Sequence, residues 1–255
     1  RIAEMAKYLD LMLCIFPFEQ PLYEKSGLRT IFVGHPMLDS LAAHRIEAPR
    51  EDRLAGLFPG SRRKEVTKLF PVMLDAAVSL QRRLPGFRAE VAAASEELAA
   101  CMSEHMAAKN LKQREPVNAW LSIRVGGAYE LMQRASAGLV CSGTATLEAA
   151  YFGLPMAILY KVAWLTWAVG KRLVKVPHLG MPNLLAQREI VREFLQDAAQ
   201  PEPIADELWR LLTNAEAREA VQLELGKVIA MLGASGAAAR AAKAVLEHLH
   251  SPGMR

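Results

Sequence analysis

Cysteine is scarce in this chain. Cys14, Cys101 and Cys141 are odd in number and each sits in an apolar run, which excludes a disulfide framework and reads as reduced core thiols of a cytosolic protein. Long apolar runs are missing too: a membrane span needs about 18 such residues, and residues 162–170 (VAWLTWAVG) stop short at Lys171 and Arg172. No block of like charge occurs; the net charge of +4 is scattered, and no zinc-finger, ribonucleoprotein or KH pattern is present, so nucleic acid is not an expected partner. Absence of a Walker A lysine and of G-x-G-x-x-G disfavours NTPase and dinucleotide-dependent redox chemistry. No Asp-x-Asp pair offers a metal–diphosphate bridge, and no internal repeat, low-complexity tract or signal peptide is seen.

What remains is an ordinary globular composition, with 52% hydrophobic and 23% charged residues over 255 positions, enough for one large core or two smaller ones. Short bounded apolar runs alternate with helical patterns. Strands are expected at 11–16, 30–33, 54–58, 87–93, 121–125, 137–141 and 156–160, and helices at 20–26, 96–109, 129–135 and 146–152. A long helix should follow Arg62, with Phe70, Met73, Leu74, Ala77 and Val78 on one face and Pro71 near its first turn. Gly34-His35-Pro36 turns the chain, residues 45–52 read as a linker, and the last fifty-odd residues are helical. The chain opens on Arg1 inside a helical pattern, as though the N-terminal part of a larger protein were missing. Alternation of this kind predicts an α/β fold, a parallel sheet covered on both faces with ligands at the carboxyl ends of its strands.

Two of those strand ends carry the chemistry. After the strand at 137–141 comes Ser142-Gly143-Thr144, opening a helix that carries Glu148 about one turn in. Glycine lets a ligand approach the backbone, and helix-start N–H groups with the helix dipole suit a phosphate. Glu148 is placed to accept two hydrogen bonds from a ribose diol. Plain helix capping is the competing reading, although a reciprocal capping box would require its hydroxyl at Ala145, three residues before Glu148. The second loop, Gly60-Ser61-Arg62, repeats the pattern and adds a guanidinium that can fork onto phosphate oxygens and stabilise a departing diphosphate. Arg62 could instead be a solvated residue. Positive charge at a helix start is nevertheless unfavourable unless an anion sits there.

Four ordered segments, at 16–41, 57–66 (LFPGSRRKEV), 142–162 (SGTATLEAAYFGLPMAILYKV) and 171–196, resemble the lipid-A-disaccharide synthase family over nearly the whole chain. The resemblance implies a GT-B type glycosyltransferase with two Rossmann-like domains. The family transfers 2,3-diacylglucosamine from UDP-2,3-diacylglucosamine to lipid X (2,3-diacylglucosamine 1-phosphate) at the inner face of the cytoplasmic membrane, without cofactor or metal. Residues 1–45 would then be the tail of the acceptor domain, 46–200 the UDP-sugar domain and 201–255 C-terminal helices. Gly60, Ser61 and Arg62 would meet the UDP phosphates, with Arg62 catalytic; Ser142, Gly143 and Thr144 would form the second phosphate loop and Glu148 would hold the ribose. Asn183 matches a donor-site asparagine with Glu189 nearby, although Gln187 stands where the family has a small residue. His35 and His178 are testable acid–base groups, and Tyr160 and Lys161 are candidate cleft residues; a structural role is the favoured reading of all four. The general base is expected in the missing domain. Residues 164–175, mixing tryptophans, aliphatics and cations, suit a membrane surface or a packed helix. Leu208, Leu211 and Leu212 give the C-terminal helices a buried face, and a homodimer through those helices is implied. Other readings are a related UDP-sugar enzyme (a lipid II-forming N-acetylglucosaminyltransferase or a UDP-N-acetylglucosamine epimerase) and a non-catalytic nucleotide-sugar-binding module.

Overall fold

The computed structural model describes residues 2–110, 116–161 and 178–250, in two compact units. Residues 1–44 and 227–255 make the smaller one and residues 45–226 the larger. In chain order the smaller unit begins with α1 (Ile2–Met5), β1 (Met12–Cys14), α2 (Glu19–Glu24), β2 (Thr30–Phe32) and α3 (Met37–Ala42). β1 and β2 pair in parallel, Met12 opposite Thr30.

The larger unit contains β3 (Glu51–Phe58), α4 (Arg63–Arg83), β4 (Arg88–Ala93), α5 (Glu96–Asn110), β5 (Leu121–Val125), α6 (Ala128–Arg134), β6 (Ala135–Cys141), α7 (Thr144–Tyr151), β7 (Met156–Tyr160), α8 (Met181–Ala186), β8 (Glu193–Leu195) and α9 (Pro201–Thr213). Then α10 (Ala215–Met231) leads to α11 (Ala237–His250), which belongs to the smaller unit. There Arg240 Nε donates to Val33 O at 2.8 Å and Gly236 N to Asp39 Oδ1 at 2.8 Å, so the last helix is tied to the first forty residues.

All six strands of the larger sheet are parallel, in the order β5-β4-β3-β6-β7-β8. That is the doubly wound order, in which the winding reverses between the first and fourth strands, here β3 and β6. Helices cover both faces, so the central strands should be apolar throughout, and every residue of β6 is buried. α4 packs against α5 and α9. The stripe Leu208, Leu211 and Leu212 closes on α4 and the sheet inside the chain, and Ser79–Glu202 and Arg83–Asp206 hydrogen bonds fasten the rim.

Three local expectations need correction. Pro71 lies in the ninth position of α4, not near its first turn. Val66, Leu69, Phe70, Met73 and Leu74 form a fully buried stripe on both sides of it, and that burial outweighs the roughly 3 kcal/mol that an interior proline costs. The stretch 45–52 is not wholly a linker. β3 already begins at Glu51, which Arg134 and Arg88 pair at 2.7 and 3.1 Å, while the Arg50 guanidinium donates to the carbonyls of Met132, Ala135 and Phe152 at the ends of α6 and α7. Cys101 is half-buried rather than a core thiol, unlike Cys14 and Cys141. β8, whose three residues are too few to show a period, was not expected.

Candidate functional site

A cleft of about 500 Å³ opens at the carboxyl ends of β3, β4, β5 and β6, where the winding reverses. Gly60, Ser61 and Arg62 line it from one side and Ser142, Gly143 and Thr144 from the other, with Glu148 also on its wall. Two loops 80 residues apart in sequence therefore share one site, because β3 and β6 are hydrogen-bonded neighbours, Phe58 opposite Val140.

Each loop requires its glycine. Gly60 has φ +109° and Gly143 φ +151°, conformations that side chains rarely adopt. Gly60 is also crowded: a Cβ there would stand 2.5 Å from Glu65 Oε2 and 3.1 Å from Glu65 Cβ. Arg62 is the extended residue before α4, its carbonyl accepting from Glu65 N and Val66 N, while its exposed guanidinium donates to Glu65 Oε1 at 2.9 Å. An acidic side chain thus already sits over the helix start, where an incoming anion would go. Around Gly143 a Cβ would meet nothing within 4 Å, so the backbone there faces open cleft. The first turn of α7 closes by Thr146 N and Thr146 Oγ1 both donating to Gly143 O.

Glu148 is half-buried, and the Tyr129 hydroxyl donates to its Oε1 at 3.3 Å. Burial raises its carboxyl above the usual carboxylate range, the tyrosine hydrogen bond pulling the other way. Burial and the Glu148 charge together raise the Tyr129 phenol. Cys141 lines the cleft as a neutral thiol: burial, with Glu65 adding, pushes it up to about 12, out of the range for a thiolate nucleophile near neutral pH. A third glycine turn, Gly126-Gly127 after β5, completes the wall with Ala128. Sequence reasoning missed it, although strand, paired glycine and helix follow the same grammar as the other loops.

The Ser142 loop continues into a buried polar cluster. Ser142 Oγ donates to Leu179 O at 3.2 Å. Asn183 is fully buried, and its amide is committed within the protein: Nδ2 donates to Val191 O and Glu193 Oε1 (both 2.7 Å), and Oδ1 accepts from Ile190 N and Val191 N. Exposed Glu189 accepts from Glu193 N at 3.2 Å. Neither residue lines the cleft among the described residues. His178 Nδ1 lies 3.9 Å from Glu193 Oε1. Tyr160 and Lys161 are half-buried at the end of β7. His35 belongs to the smaller unit, where its Nδ1 accepts from Met37 N, its ring tilts on Phe16 and burial lowers its pKa. Residues 164–175 lie outside the described residues.

Comparison with known proteins bears on the fold and the family. A structure of the putative UDP-N-acetylglucosamine 2-epimerase from Listeria monocytogenes superposes with a TM-score of 0.65 at 13% identity, covering 94% of this chain and 59% of that one. The calicheamicin glycosyltransferase CalG4 gives 0.56 at 17% identity, over 94% and 54%. The fold is accordingly α/β of the GT-B type. The lipid-A-disaccharide synthase of Geobacter metallireducens is 39% identical over 259 aligned positions, 98% of this chain and 65% of its own length, so the chain spans a little under two thirds of that relative. The family model described as lipid-A-disaccharide synthetase matches residues 1–246. By that match, the chain belongs to the lipid-A-disaccharide synthetase family.

Proposed function

We propose that the chain holds the UDP-sugar half-site of a glycosyltransferase of lipid A biosynthesis. One observation carries the reading: two glycine–hydroxyl loops, each opening a helix, face one cleft at the winding reversal, and a half-buried carboxylate shares its wall. In this reading the α4 and α7 helix starts receive the UDP diphosphate, with Gly60, Ser61 and Arg62 on one side and Ser142, Gly143 and Thr144 on the other. Glu148 accepts from the ribose hydroxyls through the oxygen that Tyr129 leaves free. Asn183 and Glu189 act by shaping the neighbouring loop.

The reaction is inverting transfer. The 6-hydroxyl oxygen of lipid X attacks the anomeric carbon of UDP-2,3-diacylglucosamine, the bond from that carbon to the phosphate oxygen breaks, and UDP leaves with the electron pair. Arg62 is exposed and, among the described residues, held by Glu65 alone, so it can turn onto the diphosphate and offset the developing charge. The base that takes the hydroxyl proton would come from the part of the family's length that this chain does not span. Both sugars carry acyl chains, which favours work at the cytoplasmic face of the inner membrane, with residues 164–175 as the contact. Self-association through the C-terminal helices would use the exposed Val245, Leu246 and Leu249 of α11.

Calorimetric titration with UDP tests the site. The wild-type chain should bind and Glu148→Ala should lose roughly tenfold or more, the worth of one or two charge-assisted hydrogen bonds. A folded wild-type chain that ignores UDP contradicts the reading.

A further inference from the structure

The loop that presents Ser142 and Gly143 to the cleft is held from more than one side: Thr146 of its own helix closes on Gly143 O, Ser142 N donates to Leu159 O on β7, and the serine hydroxyl reaches across to Leu179 O, in a segment that precedes α8. That segment converges on one side chain. Glu193 Oε2 accepts from Leu179 N at 2.9 Å, and Glu193 Oε1 accepts from Gly180 N at 3.1 Å and Asn183 Nδ2 at 2.7 Å. His178 Nδ1 stands 3.9 Å from the same oxygen. The Glu193 side chain is only 5% exposed. A carboxylate so enclosed survives because N–H donors surround both oxygens, and such a group fixes geometry: moving any donor leaves a buried charge short of a partner. The two residues that the family pattern points to both attach here, Asn183 to the carboxylate and Glu189 to the backbone N–H.

We infer that Glu193, on β8, is the positioning residue for the second phosphate loop, locking residues 179–183 through its carboxylate and, through the Leu179 carbonyl, the Ser142 hydroxyl. It touches no ligand; it sets the Ser142 side chain, adding a brace to a loop whose backbone is also tied to Leu159 O and Thr146. The inference deepens the UDP-site reading and rests on it for its consequence, the binding of a diphosphate. The coupling itself is independent of any ligand.

Glu193→Gln puts an amide where two carboxylate oxygens met three N–H donors, so one of its ends now faces a donor with a donor. Hydrogen–deuterium exchange should show faster exchange in 179–183 and also in 142–146, with 60–66 unchanged, because among the described residues α4 and its loop share no hydrogen bond with this cluster. The same variant should bind UDP about tenfold more weakly at a temperature where circular dichroism matches the wild type. Ser142→Ala, which cuts the link and spares the carboxylate, should accelerate exchange in 142–146 but not in 179–183, and adding it to Glu193→Gln should bring no further change in 142–146. Should Glu193→Gln not fold, Glu193→Asp, which draws the carboxylate back from the same three donors, takes its place in the comparison. Unchanged exchange in 142–146 for either folded variant overturns the inference. A wild-type chain that does not bind UDP counts against the site reading instead, and the exchange comparison still decides the role of Glu193.

Discussion

The Gly60 and Ser142 loops sit at the ends of adjoining strands and share a pattern of glycine, hydroxyl and helix, yet they are held by different means. The first is self-contained. Glu65, one turn into its own helix, covers Gly60 and pairs with Arg62, so among the described residues the loop's side-chain hydrogen bond and its tightest contact both lie within five residues of Gly60, and Cys141 Sγ of β6 comes next. The second is open at Gly143, and its serine is fastened to Leu179, thirty-seven residues away. A loop held locally keeps its form whatever happens elsewhere. A loop braced from outside inherits the stability of its brace, and it can be weakened from residues that never approach the ligand.

Substitution of the two glycines should separate these cases most sharply. At Gly143 the space is open, so Gly143→Val stores only the backbone strain of φ +151°, about 1–3 kcal/mol, and projects a side chain into the phosphate position. UDP binding should fall below detection by calorimetry while the melting temperature drops by several degrees. Gly60→Ala adds a clash with Glu65 to similar strain, so melting should suffer at least as much. Next in size is Glu148→Ala, at roughly tenfold or more in UDP affinity.

Arg62→Ala should cost about tenfold in UDP affinity, with a loss that shrinks as salt is raised, because in the proposed site the guanidinium meets the diphosphate as a charge. Its effect on melting should be slight. The Arg62 side chain is 80% exposed, and exposed ion pairs contribute only about 0–1 kcal/mol. Equal losses of stability and binding would show that the first loop is not the self-contained unit described above.

The smallest effect is a pH dependence at Glu148. Its folded-state pKa is raised by burial, so the folded chain binds the proton more tightly than the unfolded chain does. Stability from this group is therefore fully present below the unfolded value and is lost as pH rises through the higher folded value. Glu148→Gln should remove that decline and leave the chain slightly more stable near neutral pH. UDP affinity should run the other way, rising with pH as the carboxylate ionises. If the variant melts lower than the wild type at neutral pH, the burial argument fails.

The same contrast explains what the sequence made legible. Ser142-Gly143-Thr144, Gly60-Ser61-Arg62 and Glu148 could be read directly, because strand, glycine and helix start are local signals. The family resemblance added Asn183 and Glu189, but not what they do: Asn183 is buried with both ends of its amide occupied, which only tertiary packing could reveal. Glu193 carries no motif of its own, and its three donors come from a segment ten to fourteen residues earlier. Pro71 misled for a related reason, since its helix is fixed by burial on both sides and not by local propensity. Arg50 looked like linker because its carbonyl partners belong to α6 and α7, more than 80 residues on.

In the proposed site these two loops, held so differently, receive one diphosphate. A crystal structure of the chain with UDP tests it most directly. The diphosphate should lie between the Gly60 and Gly143 loops, with the ribose hydroxyls on Glu148 and Arg62 turned from Glu65 onto a phosphate oxygen. Nucleotide bound elsewhere, or touching only one loop with Arg62 still on Glu65, would contradict it.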